Sequence, residues 1–442
     1  MRQAAIPWLA ILLVVSLGAN WAYARWLSPL NRRVQPQTSA FQTMYAGTPA
    51  EQAFLAQGDE ISYYRIARNV AEGRGYSQSR ADQAPEPTAY RAPLFPLFLA
   101  GVYGVLGPAP SYGVYANHLL IALLIPLAFW VGSQLHSPRC GLLASALIAI
   151  WPHGLYFGNF LVTEPLFAVL QLLVFGLLLR LDAHPSPKLA GAAGLVSGAA
   201  ILTRTNFALV AALVGLWMLW FHRRRMPWRM ALAFAGATAL VLLPWMLRNL
   251  LVMGALIPGT TGSGVVFAGA HSPQTIASYP GGWLEPGGTA AEALLNVSEV
   301  QRDTLFWQMG LATLEQLSPA MLFRLYAWKV VRLWAPVQRL VADEVCALCN
   351  VPATILAAIL FLLSLVGLWL HRAKASIVLL AIAFMTGTTL TAIIFWGASR
   401  FRMPLEPILW TFAAYALLSV LDIRRRGVRN RNALHADGDS NL

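Results

Sequence analysis

The sequence predicts an all-α membrane protein: a polytopic transmembrane helical bundle of about ten spans, with amphipathic and juxtamembrane helices on its external side. Three observations predict it. Of 442 residues, 57% are hydrophobic and 12% charged, where a soluble chain carries roughly a quarter charged residues. The apolar residues stand in blocks, among them 119–130, 142–151, 166–179, 351–370 and 377–396, and with flanking residues most reach the about 20 residues that cross a bilayer. Lys and Arg collect in short loops: Arg223, Arg224 and Arg225, then Arg372 and Lys374, then Arg424, Arg425 and Arg426. Such loops mark the cytoplasmic side.

In chain order, the first span covers about 5–26. Arg2, an apolar run and Ala22-Tyr23-Ala24 imitate a signal peptide, but the run is long for one and reads as an uncleaved first helix. A polar external segment, 27–92, follows. Within it 59–72 reads as a helix bounded by Gly58 and by Gly73 and Gly75. Ile61, Tyr64 and Ala67 recur at spacing three, which suits a helix lying on the bilayer surface. The block 93–106 is shorter than a span, contains Pro93 and Pro96, and is expected at the external interface. Spans follow at about 115–135, 140–158, 164–181, 189–203, 206–221 and 229–246. After a second polar region, 247–350, come three more at 352–371, 375–396 and 405–422. The organisation expected is a membrane core over 1–350, C-terminal helices over 351–423 and an unstructured cytoplasmic tail over 424–442.

The net charge of +13 is therefore mostly topology, and no basic patch interleaved with aromatics points to nucleic acid. Cys346-Ala-Leu-Cys349 is either a local disulfide or two bystander thiols. His118, His136, His153 and His271 lack ligand spacing, so the pattern indicates no metal site; no cofactor is expected, with a divalent metal left open. The sequon Asn296-Val-Ser298 is too common a pattern to use.

The residues with a claim to chemistry fall at one membrane face. Asp59 and Glu60 open the 59–72 helix, as a helix cap or as a base held beside the membrane. Glu164 stands between two apolar runs with Pro165 after it, either a carboxylate favoured by a helix N-terminus or a functional acid. Arg204 interrupts an apolar stretch, and Arg400 and Arg402 occupy a short loop on the non-cytoplasmic side. The arginine fork suits phosphate, although snorkelling would explain any one of them. Arg91 and Arg248 are second-tier candidates. The Gly-rich run 259–264 lacks the lysine of a P-loop.

In order along the chain these motifs resemble the membrane glycosyltransferases of the dolichyl-phosphate-mannose–protein mannosyltransferase type, of GT-C fold, whose relatives include the bacterial transferases that add aminoarabinose to lipid A. The matching strings are Gly58-Asp-Glu-Ile-Ser-Tyr-Tyr-Arg-Ile-Ala-Arg-Asn69, Thr88-Ala-Tyr-Arg-Ala-Pro-Leu-Phe-Pro96, Thr163-Glu-Pro-Leu-Phe167, Leu202-Thr-Arg204, Pro244-Trp-Met-Leu-Arg-Asn249 and Ser399-Arg-Phe-Arg-Met-Pro404. The resemblance implies an inverting transfer of a sugar from a polyprenyl-phosphate carrier to an acceptor, and leaves open whether that is a glycan, a lipid or a protein. The reaction would take place on the external, periplasmic face of a bacterial plasma membrane. It implies that Asp59 is the general base, Glu164 an acidic partner, Arg204, Arg400, Arg402 and Arg91 the phosphate-binding set, and Glu60, Tyr63 and Tyr64 substrate contacts. The chain departs from the pattern at Ser62, where some relatives carry a basic residue. It also lacks the added β-rich domain of the eukaryotic mannosyltransferases. A transporter or flippase of a lipid-linked sugar, and an O-antigen ligase or polymerase, are the alternatives. The clustering of charge at one face favours an enzyme over the former.

Overall fold

The computed structural model describes residues 5–26, 55, 58–221, 227–287, 294, 297–338 and 347–439. Arg223, Arg224, Arg225, Asn296 and Cys346 lie outside them. Cys349 is disulfide-bonded, and Cys140 is a buried free thiol. Among the described residues there is no β-strand, only an isolated bridge between Ser77 and Pro87.

Prolines set most helix starts. α1 spans Ile6–Trp26, α2 Gly58–Ala71 and α3 Leu94–Leu106. Then come α4 (Pro110–Leu135), α5 (Pro138–Ala149), α6 (Pro152–Gly158), α7 (Glu164–Ala183), α8 (Pro187–Thr203), α9 (Phe207–Phe221) and α10 (Pro227–Met253). In α4, α5, α6, α7 and α8 a proline stands in the first turn, where its missing N–H costs nothing and its φ is already helical. The polar region 247–350 contributes α11 (Ser263–Ala270), α12 (Pro273–Ser278), α13 (Glu299–Glu315) and α14 (Pro319–Trp334). The last four are α15 (Val351–Leu370), α16 (Ala375–Ile394), the single turn α17 (Ser399–Arg402) and α18 (Glu406–Asp439).

Among the described residues seven helices are long and apolar enough to cross a membrane, or eight if the pair α5–α6, bent by 51°, forms one span. The chain is an integral membrane protein. The expectation of about ten spans is not reached by this measure, because α8 and α9 have only 17 and 15 residues. They pack against α7, α10 and α16, so protein covers much of what lipid would otherwise have to match. The segment 424–439, expected to be unstructured, continues α18.

Close backbone approach holds the bundle where helices cross. A Cβ at Gly194 of α8 would collide with the Phe234 carbonyl of α10, and one at Gly367 of α15 with the Phe412 carbonyl of α18. Small residues at such crossings let dispersion and polar contacts act between backbones that lipid would otherwise separate. Side-chain hydrogen bonds reinforce both: Thr238 Oγ1 donates to Gly194 O at 3.0 Å and Ser364 Oγ to Leu409 O at 2.8 Å. At the centre, Trp410, Phe412, Ala413 and Ala414 of α18 pack into the core shared with Phe175, Leu178 and Phe384.

The helix expected over 59–72 is α2, but it does not lie on a lipid surface. Glu60, Ile61, Ser62, Tyr63, Arg65, Ile66, Ala67 and Asn69 are buried, so protein surrounds most of its circumference. It packs on α3. Gly73 and Gly75 adopt φ of 73° and 81° after its end, the left-handed region that glycine enters without strain. Asn69 Nδ2 then holds the returning loop through the carbonyls of Ser77 and Ser79 at 2.8 and 2.9 Å.

Candidate active site

Five of the residues singled out by sequence meet at one end of the bundle. They come from the first turn of α2 (Asp59), the loop before α3 (Arg91), the N-terminus of α7 (Glu164), the residue that ends α8 (Arg204) and α17 (Arg400). Arg91 Nη2 donates to Asp59 Oδ1 at 2.6 Å, and Arg400 Nη1 to Asp59 Oδ2 at 2.9 Å. Arg400 Nε and Nη2 also reach Glu164 Oε1 and Oε2. Arg204 Nη1 donates to Glu164 Oε1 at 2.8 Å and to Thr163 Oγ1 at 3.1 Å. The result is an unbroken alternation, Arg91–Asp59–Arg400–Glu164–Arg204, with one more positive charge than negative. Such forked pairing fixes guanidinium planes as a lysine could not.

The alternation is graded in exposure. Asp59 keeps 31% of its side-chain exposure, Arg91 and Arg400 21% and 22%, Arg204 15% and Glu164 none. Asp59 is thus the acid a solute can reach. Burial alone would raise its pKa, but the Arg91 and Arg400 guanidiniums overcome that and hold the carboxyl well below the usual carboxylate range.

Aromatic faces back the arginines. The Arg91 guanidinium lies 5.0 Å from the Tyr63 ring centroid and 4.8 Å from that of Tyr90. Arg204 lies 5.8 Å from Phe167 and 5.2 Å from Phe401. These contacts hold cations by the ring quadrupole without consuming N–H donors. Ser62 also belongs to the site. Its hydroxyl accepts from Arg91 Nε at 3.2 Å and donates to Gln78 Oε1 at 2.9 Å.

Three of the expected site residues are placed elsewhere. Glu60 is fully buried and its Oε1 accepts the Leu161 N–H at 2.8 Å, which braces the strand of loop leading to Glu164 instead of facing a substrate. The Tyr64 hydroxyl donates to the Pro108 carbonyl at 2.9 Å, away from the charged row. Arg402 is the largest correction. Residues two apart on a helix point about 200° from one another, so it faces away from Arg400 into the protein. There its Nε donates to Glu406 Oε1 at 3.0 Å and its Nη1 to the Leu333 and Ala335 carbonyls, both at 2.5 Å. No donor is left pointing at solvent, and the residue is fully buried.

Sequence reading missed Glu406. It is fully buried and also accepts from Trp151 Nε1 at 2.7 Å and from Gln338 Nε2 at 2.9 Å, with His153 Nδ1 at 3.2 Å. An acid in Arg402-Met-Pro-Leu-Glu406 four residues after an arginine was the available signal. The bend between α5 and α6 brings Trp151 and His153 to it. Among the described residues no three His, Cys, Asp or Glu side chains converge to hold a metal.

No family model and no curated protein sequence matches the chain. Solved structures do. The oligosaccharyltransferase of Archaeoglobus fulgidus in its apo form superposes with a TM-score of 0.51 at 14% identity, covering 97% of this chain and 52% of that one. The same archaeal protein, AglB, in complex with an inhibitory peptide and a dolichol-phosphate, gives 0.51 at 14% identity over 96% of this chain and 52% of that one. ArnT from Cupriavidus metallidurans bound to undecaprenyl phosphate gives 0.42 at 15% identity over 94% and 77%. The chain spans about half the length of the archaeal protein. The likeness is one of architecture, and the fold is the GT-C fold.

Proposed function

We propose that this protein is a glycosyltransferase that moves a sugar from a polyprenyl-phosphate donor to an acceptor, with inversion, on the external face of a bacterial plasma membrane. The observation that carries the reading is the row Arg91–Asp59–Arg400–Glu164–Arg204, an accessible carboxylate placed between arginines with one positive charge in excess. A sugar phosphodiester carries a single negative charge and would neutralise that excess. In support of a lipid donor, the archaeal structural neighbour was solved with a dolichol-phosphate.

The acceptor hydroxyl attacks the anomeric carbon, the bond from that carbon to the phosphate oxygen breaks, and its electron pair stays on the phosphate. Asp59 takes the hydroxyl proton. The departing phosphate gains a negative charge, and Arg400 and Arg204 stabilise it there, so it needs no proton from a second acid. Glu164 holds both of those arginines in place. As found, Asp59 is a weak base because two guanidiniums neutralise it. A phosphate that draws Arg400 toward itself removes one of them, so the pKa of Asp59 rises as the donor binds. Arg91 on Ser62 supplies cationic character where some relatives carry a basic residue, and Arg402 is not in the phosphate set.

The external placement rests on polarity. The short basic link carrying Arg372 and Lys374, and the turn between α7 and α8, lie at the opposite ends of helices whose other ends carry Arg400, Glu164 and Arg204. The test is transfer from labelled polyprenyl-phosphate sugars in liposomes. Wild type should release free polyprenyl phosphate and label the acceptor, and Asp59→Asn should not. Passage of intact donor across the bilayer without transfer would replace the reading with that of a flippase.

A further inference from the structure

Glu299, the first residue of the external helix α13, sends its carboxylate away from its own helix and into the loop that carries Arg91. Its Oε2 accepts the Thr88 hydroxyl at 2.7 Å, and its Oε1 accepts the Ala89 N–H at 2.8 Å and the Thr261 hydroxyl at 2.5 Å. The two held segments also bond each other, Thr261 N–H to Ala89 O at 3.0 Å. From the other side Arg248 Nη1 donates to the Thr88 carbonyl at 2.8 Å, and the Tyr76 hydroxyl to the Arg91 carbonyl at 2.9 Å. Two residues beyond Ala89, the Arg91 side chain meets Asp59.

We propose that Glu299 is the positioning residue for Arg91, and through it sets the charge environment of Asp59; this rests on the reading of Asp59 as the base of a transferase. The chemistry of the contact requires a carboxylate. Three donors converge on Glu299 and it donates to none of them, an inventory that an ionised acid meets and an amide does not. Glutamine in its place would set an NH2 group against Thr88 Oγ1. That hydroxyl already accepts the Tyr90 N–H at 3.0 Å, and its own proton would lose its acceptor. Residues 88–91 would then loosen at the point where Arg91 leaves the backbone. A displacement of about 1 Å at a reacting group can cost about a hundredfold in rate. The external layer thereby becomes part of the reaction's machinery although none of its side chains joins the charged row.

The charged and titratable groups facing Asp59 are Arg91 and Arg400, with the Glu164 carboxylate and the neutral Tyr63 phenol beyond them. Freeing Arg91 leaves Arg400 as the one close cation, and the Asp59 pKa moves up. The experiment measures kcat/KM for transfer against pH in proteoliposomes for wild type, Glu299→Gln, Arg91→Ala and the double variant. In the expected result Glu299→Gln lowers kcat/KM by about tenfold or more and shifts the acid limb of its pH profile upward. Arg91→Ala does the same, and the double variant is no worse than Arg91→Ala alone. Glu299→Asp, which keeps the charge, should recover part of the rate. A lower rate with an unmoved acid limb, or losses that multiply in the double variant, would overturn the proposal. Should Glu299→Gln not accumulate, Thr88→Val, which deletes one of the three donors, takes its place with the same two criteria. If Asp59→Asn transfers as fast as wild type, the underlying reading fails instead.

Discussion

Arg400 and Arg402 lie two residues apart, yet they belong to two ion clusters built on opposite principles. Around Arg400 the charges alternate in a row, one cation in excess, and the row opens to solvent at Asp59. Around Arg402 every side-chain partner is buried: Glu406, Trp151, Gln338 and His153, with the carbonyls at 333 and 335, close the cluster. A row with spare charge and an exposed end can exchange partners with an incoming anion. A closed cluster has nothing to offer a ligand, and its role is to pin α17 and α18 to the α5–α6 bend. The difference teaches that an arginine near a membrane face is a binding candidate only if its donors remain available.

Four experiments would break or sharpen that contrast. The largest effect is expected at Asp59: Asp59→Asn should reduce transfer by about 10²–10⁴-fold with no change in detergent-extracted yield or thermal midpoint beyond a few degrees. Next is the closed cluster. Arg402→Ala strands a buried carboxylate at a cost of about 3–5 kcal/mol, so its signature should be loss of monodisperse protein in size-exclusion chromatography. A well-folded Arg402→Ala with selectively weakened donor binding would erase the distinction between the two arginines. Smaller is Arg400→Lys, which keeps the charge but cannot fork between Asp59 and Glu164; transfer should fall by about 10–100-fold while the melting curve stays close to wild type.

The smallest effect concerns pH and two acids of opposite shift. Asp59 is depressed by its arginines, so its contribution to stability is fully present above its ordinary value of 3.8 and is lost as pH falls below it. Asp303 of α13 accepts the Gly264 N–H and the Ser263 hydroxyl, but burial pushes its carboxyl up to about 6. The folded protein therefore holds that proton more tightly than the unfolded chain. Stability falls as pH rises between about 4 and about 6, and the full cost remains above. Asp303→Asn should raise the thermal midpoint slightly at pH 7.5 and leave it unchanged at pH 4. A drop at pH 7.5 would mean that the charge, not its burial, dominates there.

Much of this was legible in the sequence, for physical reasons that differ from part to part. The apolar blocks announced the bundle because a bilayer demands length and composition together. The 59–72 helix was readable from glycines on both sides, and Glu164, Arg204 and Arg400 because charge is conspicuous beside hydrocarbon. What periodicity could not reveal was what covers a face. Ile61 and Tyr64 looked like a lipid-facing stripe, whereas α2 is enclosed by protein. Arg402 looked equivalent to Arg400 because spacing on paper hides rotation about a helix axis. Short helices such as α8 and α9 read as spans because composition does not report a neighbour. Glu299 and Glu406 escaped notice because an acid in a polar loop, or at the start of a long helix, has no local mark of its partners far away in sequence.

Those sequence distances also put the site on a clock. Asp59 and Arg91 are 32 residues apart, Glu164 and Arg204 are 40, but Arg400 stands 341 residues from Asp59 and 236 from Glu164. A ribosome adding about 5–20 residues per second takes roughly 10–40 s to travel from Arg204 to Arg400. Throughout that interval the residues already made can form only two separate half-sites, each one arginine and one acid, with no bridge between them. Arg400 joins them only when α17 is made, after every element that carries the other four residues. A chain stopped before residue 400 would keep both pairs and lack the bridge between them.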